Sequence, residues 1–447
     1  MAADRTSVRR RMRERLRHLS LRDSLTLGLP AIALVAGAFW LAAQFIRPAP
    51  PDYLVLSSGA EGGAYQMYAA RYKPILERDG IELRELPSAG ALENLQRLCD
   101  PDSGVDVAFV QGGLADGVNR DDLVSLGSFY VEPLWVFYRG KQTLDRLTQL
   151  KGKRIAIGPE GSGTRVLALE LLRANGIDER NARLLPLSGM EAVAALREGG
   201  VDVVFTVGPA QSSTVWAALY TPGVRIMDFA QAEAYVRRFP YLSAVTLPRG
   251  GVDLERDVPP HDVRLVATMA TLVARESTHP ALISLLLQAA SEVHGQPGLF
   301  QRPGEFPNAQ QVDFPLSPEA DRYYKSGPSF LRRYLPFWAA VLVERLIVLL
   351  IPVIAVLFPL MRVLPVIYAW RVRARIYKWY GELKFLEAEI EENPAGASRE
   401  DWLARLDDLE ERVHNIPTPL MYTNQLYILR EHIGLVRNRV LRIGAPS

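Results

Sequence analysis

Short apolar segments alternate with amphipathic ones from Tyr53 onward. In the amphipathic segments apolar residues recur every three or four positions, as on one face of a helix. Alternating strands and helices predict an α/β domain whose parallel strands are covered on both faces, with ligands bound beyond the carboxyl ends of the strands. The predicted strands are YLVLSSG (53–59), IELRELPS (81–88), VDVAFVQG (105–112), RIAIGP (154–159) and VDVVFTVG (201–208).

A first long apolar segment precedes this domain. Residues 25–46 carry no charge, and at ~1.5 Å per residue they are long enough to cross a ~30 Å hydrocarbon core. Residues 1–24 are strongly basic, with eight arginines. A cleaved signal peptide is the alternative, because small residues stand at Ala36-Gly37-Ala38. We predict a membrane anchor, because the apolar run continues beyond these small residues.

A second apolar segment, residues 337–368, follows the domain and has an uncharged centre at 346–361. It is predicted to be the second transmembrane helix, with its charged residues extending to the interfaces. These residues are Glu344, Arg345 and Arg362. A basic group follows the segment at Arg371, Arg373, Arg375 and Lys378.

Basic residues mark the cytoplasmic ends of membrane spans. With both basic groups inside, residues 52–330 are predicted to lie in the periplasm, and both termini in the cytoplasm, of a bacterial inner-membrane protein. The tail, residues 371–447, is predicted to be helical. Its last helix has a coiled-coil-like spacing at Leu426, Leu429, Ile433, Val436 and Val440. A seam this short is compatible with two arrangements: packing within a helical hairpin of the same chain, or a homodimer formed through the tail.

Composition excludes several classes of protein. The net charge of +2 and the charged fraction of 23% are ordinary for a globular protein, so we predict no nucleic-acid partner. Cys99 is the only cysteine and the six histidines are scattered singly, so we predict no metal site and no cofactor. No spacing of serine, histidine and carboxylate residues indicates catalysis, and we predict that the chain is not an enzyme.

Three strand-to-helix loops carry the candidate binding chemistry, because each places backbone N–H groups at a helix N-terminus. They are residues 57–65 (SSGAEGGAY), 88–91 (SAGA) and 158–165 (GPEGSGTR). The third has the glycine spacing of a P-loop. However, Thr164 and Arg165 occupy the positions of the phosphate-binding lysine and the magnesium-binding hydroxyl, which argues against nucleotide binding.

The chain from about residue 53 to 320 resembles the TAXI family of solute-binding subunits of tripartite (TRAP) transporters. The matching segments stand in family order. They are Gly62-Gly63-x-Tyr65, Glu93-Asn94-Leu95, Val110-Gln111, Tyr130-x-Glu132-Pro133, residues 150–172 (LKGKRIAIGPEGSGTRVLALELL), the helix with Ala192 to Leu196, and residues 201–208. The second span and the cytoplasmic tail do not belong to the usual pattern of the family.

The resemblance implies a two-lobed type II periplasmic-binding-protein fold that closes over a small, usually anionic ligand such as an amino acid or dicarboxylate. Lobe 1 would comprise about residues 52–135 and 245–330, and lobe 2 about residues 136–244. Together with the loops, it predicts these ligand-binding residues: Glu61, Gly62, Gly63, Tyr65, Ser88, Asn94, Gln111, Glu132, Ser162, Gly163, Thr164, Arg165, Thr206 and Gly208.

Four positions depart from the family pattern. Glu61 replaces a threonine, Gln66 a tyrosine, Ala91 a serine and Gly113 an aspartate. Loss of a hydroxyl and gain of an acid favour a different or less anionic solute.

The predicted function is capture of a small polar or anionic solute for TRAP-type transport, with a membrane permease as partner. One alternative is a receptor that signals through its helical tail to a cytoplasmic partner. Another is a scaffold with a degenerate cleft.

Overall fold

The computed structural model describes residues 21–44, 49–119, 122–394, 396–416, 418 and 422–442. The chain divides into two compact units. Pro48–Val341 forms the α/β unit, and the described residues of Met1–Arg47 and Leu342–Ser447 form the helical unit. The predicted fold class, an α/β domain with a long apolar helix and a helical tail, is confirmed.

One mixed sheet runs through the α/β unit in the order β2-β1-β3-β10-β4-β7-β5-β6, with β8 paired to β4 and β9 to β10. The strands are β1 (Tyr53–Ser57), β2 (Glu82–Leu86), β3 (Val107–Gln111), β4 (Leu123–Arg139), β5 (Arg154–Ala156), β6 (Arg183–Leu185), β7 (Val203–Val207), β8 (Val224–Ile226), β9 (Ser243–Leu247) and β10 (Val263–Arg275).

Helices cover the sheet and continue into the helical unit. They are α1 (Leu21–Gln44), α2 (Ala64–Arg78), α3 (Ala91–Cys99), α4 (Gly163–Ala174), α5 (Gly189–Glu198), α6 (Ser213–Leu219), α7 (Ala232–Arg238), α8 (Pro280–His294), α9 (Pro318–Ser326), α10 (Phe337–Glu392), α11 (Arg399–His414) and α12 (Thr423–Arg442). Short 3₁₀ turns occur at Pro101–Ser103, Leu147–Leu150 and Phe330–Arg333.

Two hydrophobic cores divide the α/β unit into two lobes, and β4 and β10 contribute to both. In β4, Phe129 belongs to the first core and Trp135 to the second. In β10, Leu272 belongs to the first core and Leu265 to the second. The chain therefore passes between the lobes along two strands that are paired with each other.

The inner parallel strands are largely buried and apolar, whereas the edge strand β2 (ELREL) has exposed charged residues. All five residues of β3 are buried, and in β1 only the first residue is exposed. The first lobe pairs β1 in parallel with β2 and β3, and the second pairs β5 in parallel with β6 and β7. This arrangement brings the carboxyl ends of both sets of parallel strands to the region between the lobes.

The tail forms a small helical bundle with its own core. Ser398 caps α11 by accepting a hydrogen bond from the Asp401 N–H (3.1 Å), and the Asp401 carboxylate accepts one from the Ser398 N–H (3.2 Å). Four residues of the predicted α12 seam are buried against α10 and α11: Leu429, Ile433, Val436 and Val440. The seam thus packs within the chain, and a homodimer through the tail stays a prediction.

In the described part of the chain, α10 alone is long and apolar enough to cross a membrane by length and composition. Its apolar side chains point outward, as the 72% exposure of Phe358 shows. The first predicted span coincides with α1. The apolar part of α1 is Gly28–Gln44, which is shorter than the apolar part of α10. The membrane topology stays a prediction.

Gly127 lies in β4 where the backbone is crowded. Its φ is +118°, and a Cβ atom there would lie 2.5 Å from the Asn308 carbonyl oxygen and against the Tyr324 hydroxyl. Gly80 also has a positive φ, +79°, but a Cβ atom there would meet open space.

We expect Gly127→Ala to lower the free energy of unfolding by about 3 kcal/mol, because backbone strain and overpacking add. Gly80→Ala is the matched control and is expected to cost about 1 kcal/mol from backbone strain alone. Urea unfolding of the full chain in detergent measures both. Equal losses for the two variants would contradict the crowding of Gly127.

Candidate functional site

A cavity of about 120 Å³ lies between the two lobes at the carboxyl ends of the strands. Small residues provide most of its wall, and polar groups enter it from both lobes. The wall consists of Gly59, Ala60, Gly63, Ala64, Tyr65, Ala89, Gly90, Ala91, Gln111, Glu132, Ser162, Gly163, Thr164 and Val207. Seven of the fourteen predicted binding residues line it: Gly63, Tyr65, Gln111, Glu132, Ser162, Gly163 and Thr164.

Tyr65 enters the cavity from the first turn of α2. Its ring stacks on Phe109 with the ring centroids 4.9 Å apart, and its hydroxyl donates a hydrogen bond to Glu132 Oε2 at 3.0 Å. Gly63 precedes the helix as its N-cap residue. The side chain of Gln66, one of the positions that depart from the TAXI pattern, closes the loop by accepting a hydrogen bond from the Gly62 N–H at 2.7 Å.

Glu132 carries the only carboxyl group in the cavity wall, which contains no lysine, arginine or histidine. It lies in β4 opposite Thr268 of β10 and is 2% exposed. Burial raises the pKa of its carboxyl group to about 7, and the hydrogen bond from Tyr65 offsets part of this effect. The nearby Tyr130 hydroxyl also favours the charged carboxylate, although its geometry falls short of a hydrogen bond with any described residue.

The loop before α4 uses its hydroxyl groups to hold its own backbone. Ser162 Oγ accepts a hydrogen bond from the Arg165 N–H (3.2 Å) and donates one to the Pro159 carbonyl (2.9 Å). Thr164 Oγ1 accepts a hydrogen bond from the Val207 N–H at 3.2 Å. Arg165 is outside the cavity wall, and its guanidinium donates to the Gly158 carbonyl.

The two lobes touch beside the cavity. The Leu92 and Glu93 N–H groups at the start of α3 both donate to the Gly161 carbonyl of the opposite lobe, each at 3.1 Å. A Cβ atom on Gly161 would lie 3.1 Å from the Ala89 Cβ, and one on Gly90 would lie 3.2 Å from the Ser162 Cα. Glycines at these positions therefore permit the close approach of the lobes.

Several predicted residues lie outside the cavity wall. Asn94 is fully buried and joins three segments through hydrogen bonds to Ser57 Oγ, the Ser58 carbonyl and the Phe109 carbonyl. Ser88 donates to Asn94 Oδ1 at 2.6 Å. The others outside the wall are Glu61, which is exposed, and Gly62, Thr206 and Gly208. Their part in ligand binding stays a prediction.

The structure adds wall positions that the sequence did not single out as binding residues. They are Gly59, Ala60, Ala64, Ala89, Gly90, Ala91 and Val207. In the sequence, the small residues of the first two loops could have indicated space for a ligand. They do not indicate which ligand, because glycine and alanine carry no polar side-chain group. Among the described residues, no three His, Cys, Asp or Glu side chains come together to hold a metal ion.

The two lobes, the paired crossing strands and the cavity at the strand ends define a two-lobed α/β protein of the binding-protein type. The chain belongs to the NMT1-like family, whose model matches residues 56–326. That match covers both lobes and the cavity.

Solved structures of small-molecule binding proteins are also similar to this chain. The periplasmic aliphatic sulphonate binding protein SsuA from Escherichia coli is 18% identical, with 55% of this chain and 73% of that chain covered and a TM-score of 0.36. An ancestral arginine-binding protein bound to arginine is 13% identical, with 55% and 93% covered and a TM-score of 0.36. The CcmR regulatory domain of Synechocystis PCC6803, in complex with 2-PG, is 17% identical, with 54% and 97% covered and a TM-score of 0.37.

Glu132 makes the stability of the protein depend on pH. A carboxyl group whose pKa rises on folding binds its proton more tightly in the folded state, so stability falls as pH rises from the unfolded pKa towards the folded one. The rise from 4.5 to about 7 corresponds to about 3 kcal/mol, lost by pH 7 to 8.

We therefore expect Glu132→Gln to stabilise the solute-free chain more at pH 8 than at pH 5, by about 2.5 kcal/mol, because the amide carries no charge to bury. Urea unfolding at the two pH values measures the difference. The exposed Glu61→Gln serves as the control and is expected to show no such gain. A Glu132→Gln gain independent of pH would contradict the buried carboxylate.

Proposed function

We propose that this protein is a membrane-anchored solute-binding protein that captures a small polar solute between its two lobes. The observation that carries the proposal is the cavity between the lobes, where polar groups of both lobes meet beside two shared strands. Opening and closing about such strands is a standard motion of two-lobed binding proteins. The cavity has a volume of about 120 Å³ in this conformation, which suits a solute of a few non-hydrogen atoms.

The anchoring follows from the outward-facing apolar side chains of α10 and the apolar segment of α1. In this proposal both helices cross a bacterial inner membrane, the α/β unit lies in the periplasm, and both termini lie in the cytoplasm. The captured solute, an amino acid or a carboxylate-like molecule by analogy with the TAXI subunits, would pass to a TRAP-type permease. The anchor restricts delivery to a permease in the same membrane.

A receptor is the second candidate, and one feature of the helical unit favours it. The apolar segment and the first helix of the tail belong to one continuous helix, α10, of 56 residues. The tail packs around the C-terminal part of this helix through buried residues such as Ile376 and Leu383. A change in the helix on solute binding would therefore reach the tail without an intervening loop.

Blocking the cavity tests solute capture. A solute at ~100 times its dissociation constant stabilises a protein by about 2.7 kcal/mol, so a screen of small solutes by thermal shift of the full chain detects binding. We expect Ala64→Phe, which places a ring at the cavity wall, to abolish the shift. The control is Ala70→Phe on the exposed face of the same helix.

Retained binding in Ala64→Phe would show that solutes bind elsewhere. No shift with any solute in the native chain would favour the scaffold with a degenerate cleft. Once a solute is found, cysteine cross-linking within the tail in native membranes separates the two candidates. A receptor changes its cross-linking pattern with the solute, and a transport subunit does not.

A further inference from the structure

The charge balance of the cavity wall constrains the solute. Glu132 is the only carboxylate among its residues, and no lysine, arginine or histidine belongs to the wall. A buried carboxylate without a positive partner is costly, since burial opposes the charged form. Tyr65 supplies one hydrogen bond at 3.0 Å, which leaves the negative charge uncompensated.

Among the described residues, the basic side chains near the cleft contact groups other than Glu132. The Arg71 guanidinium lies over the ring of Tyr68, 5.6 Å from its centroid. The Arg97 guanidinium pairs with Glu93 Oε1 at 2.6 Å and donates to Ser57 Oγ at 3.1 Å. Arg165 donates to the Gly158 carbonyl. His294, behind Tyr130, is 2% exposed and held neutral, because burial lowers its pKa to about 3. None of these groups supplies the charge that Glu132 lacks.

Some of the groups that would receive an anion are already engaged within the protein. Both N–H groups at the start of α3 donate to the Gly161 carbonyl, and the Arg165 N–H at the start of α4 donates to Ser162. A carboxylate entering the cavity would also meet Glu132 at short range in a poorly screened environment, which is unfavourable. The site in this conformation is therefore better matched to a cation than to a dicarboxylate.

We propose that the cleft binds its solute through a cationic nitrogen, a primary or substituted ammonium group, for which Glu132 is the counter-charge. This inference rests on the proposed function, and it names the chemical class of the captured solute. The ammonium group would lie beside the carboxylate of Glu132 and the ring of Tyr65, whose face also attracts cations. Gln111, which lines the same cavity, offers a carbonyl oxygen as a further acceptor.

Solute binding should then depend on pH. Below about pH 7 the carboxyl group is increasingly protonated, so a bound cation must displace a proton. We expect the affinity to fall by about tenfold for each pH unit below 7 and to level off above it. An anionic or neutral solute would show the reverse trend or none.

The test uses the full chain in detergent micelles and isothermal titration calorimetry at pH 8. The probes are matched in size and differ in charge: n-propylamine, n-propanol and propionate, with alanine as a zwitterion and succinate as a dicarboxylate. We expect n-propylamine to bind more tightly than n-propanol and propionate. Glu132→Gln should weaken n-propylamine binding by about 30-fold, a loss typical of removing one partner of a buried charge pair.

Glu77→Gln is the matched control, since Glu77 is an exposed acid of α2 that lies outside the cavity wall. It should change n-propylamine affinity by less than about threefold, as expected for an exposed charge. Alanine binding would extend the class to amino acids, provided that Glu132→Gln weakens it by the same factor. The pH dependence of n-propylamine affinity in the native chain is a second measurement that requires no variant.

Tighter binding of propionate or succinate than of n-propylamine would overturn this inference and leave the proposed function standing. So would n-propylamine binding that is insensitive to Glu132→Gln or to pH. Binding of no probe by calorimetry or thermal shift would overturn the proposed function and this inference with it.

Discussion

Both hydrophobic cores are built on the same two strands, and this sharing governs the rest of the α/β unit. β4 and β10 pair along their length and pass from one core to the other. Residues a few positions apart in β4 belong to the cores of different lobes. The cleft therefore lies beside the point where β4 passes from one lobe to the other. Glu132 stands at this point, with Leu134 already in the second core. Its carboxylate is desolvated because the strands around it must be buried on both faces to join the lobes.

The contact between the lobes explains why the site is small. Backbone N–H groups of α3 donate to the Gly161 carbonyl across the cleft, and glycines at positions 90 and 161 permit this close approach of the two loops. Backbone N–H groups that could bind a ligand therefore hold the lobes together in this conformation. What remains open to a solute is a short space bounded by Tyr65, Gln111 and Glu132. In the mode of binding that we propose, selectivity depends on one buried charge more than on a large set of hydrogen-bond donors.

The helical unit is organised around one long helix. α10 combines an apolar surface with a C-terminal half that packs into the tail bundle, so one helix serves two environments. The capping box of α11 depends only on two residues three positions apart, Ser398 and Asp401, and is therefore a local feature of the sequence. The seam of α12 is covered within the bundle, and no sequence pattern distinguishes that outcome from pairing with a second copy.

The sequence by itself determined the elements whose signals are local. These are the buried strands such as β3, the helices that follow them and the apolar helix α10, together with the predicted residues, such as Tyr65 and Glu132, that line the cavity. Only the tertiary structure decided which polar residues face the cavity and which, like Asn94, bind neighbouring segments. It also decided that the N-terminus of α3 contacts the Gly161 carbonyl and that no described residue forms an ion pair with Glu132. The reason is physical: the ionisation and hydrogen bonding of a side chain depend on groups that are distant in sequence, and no local pattern records their approach.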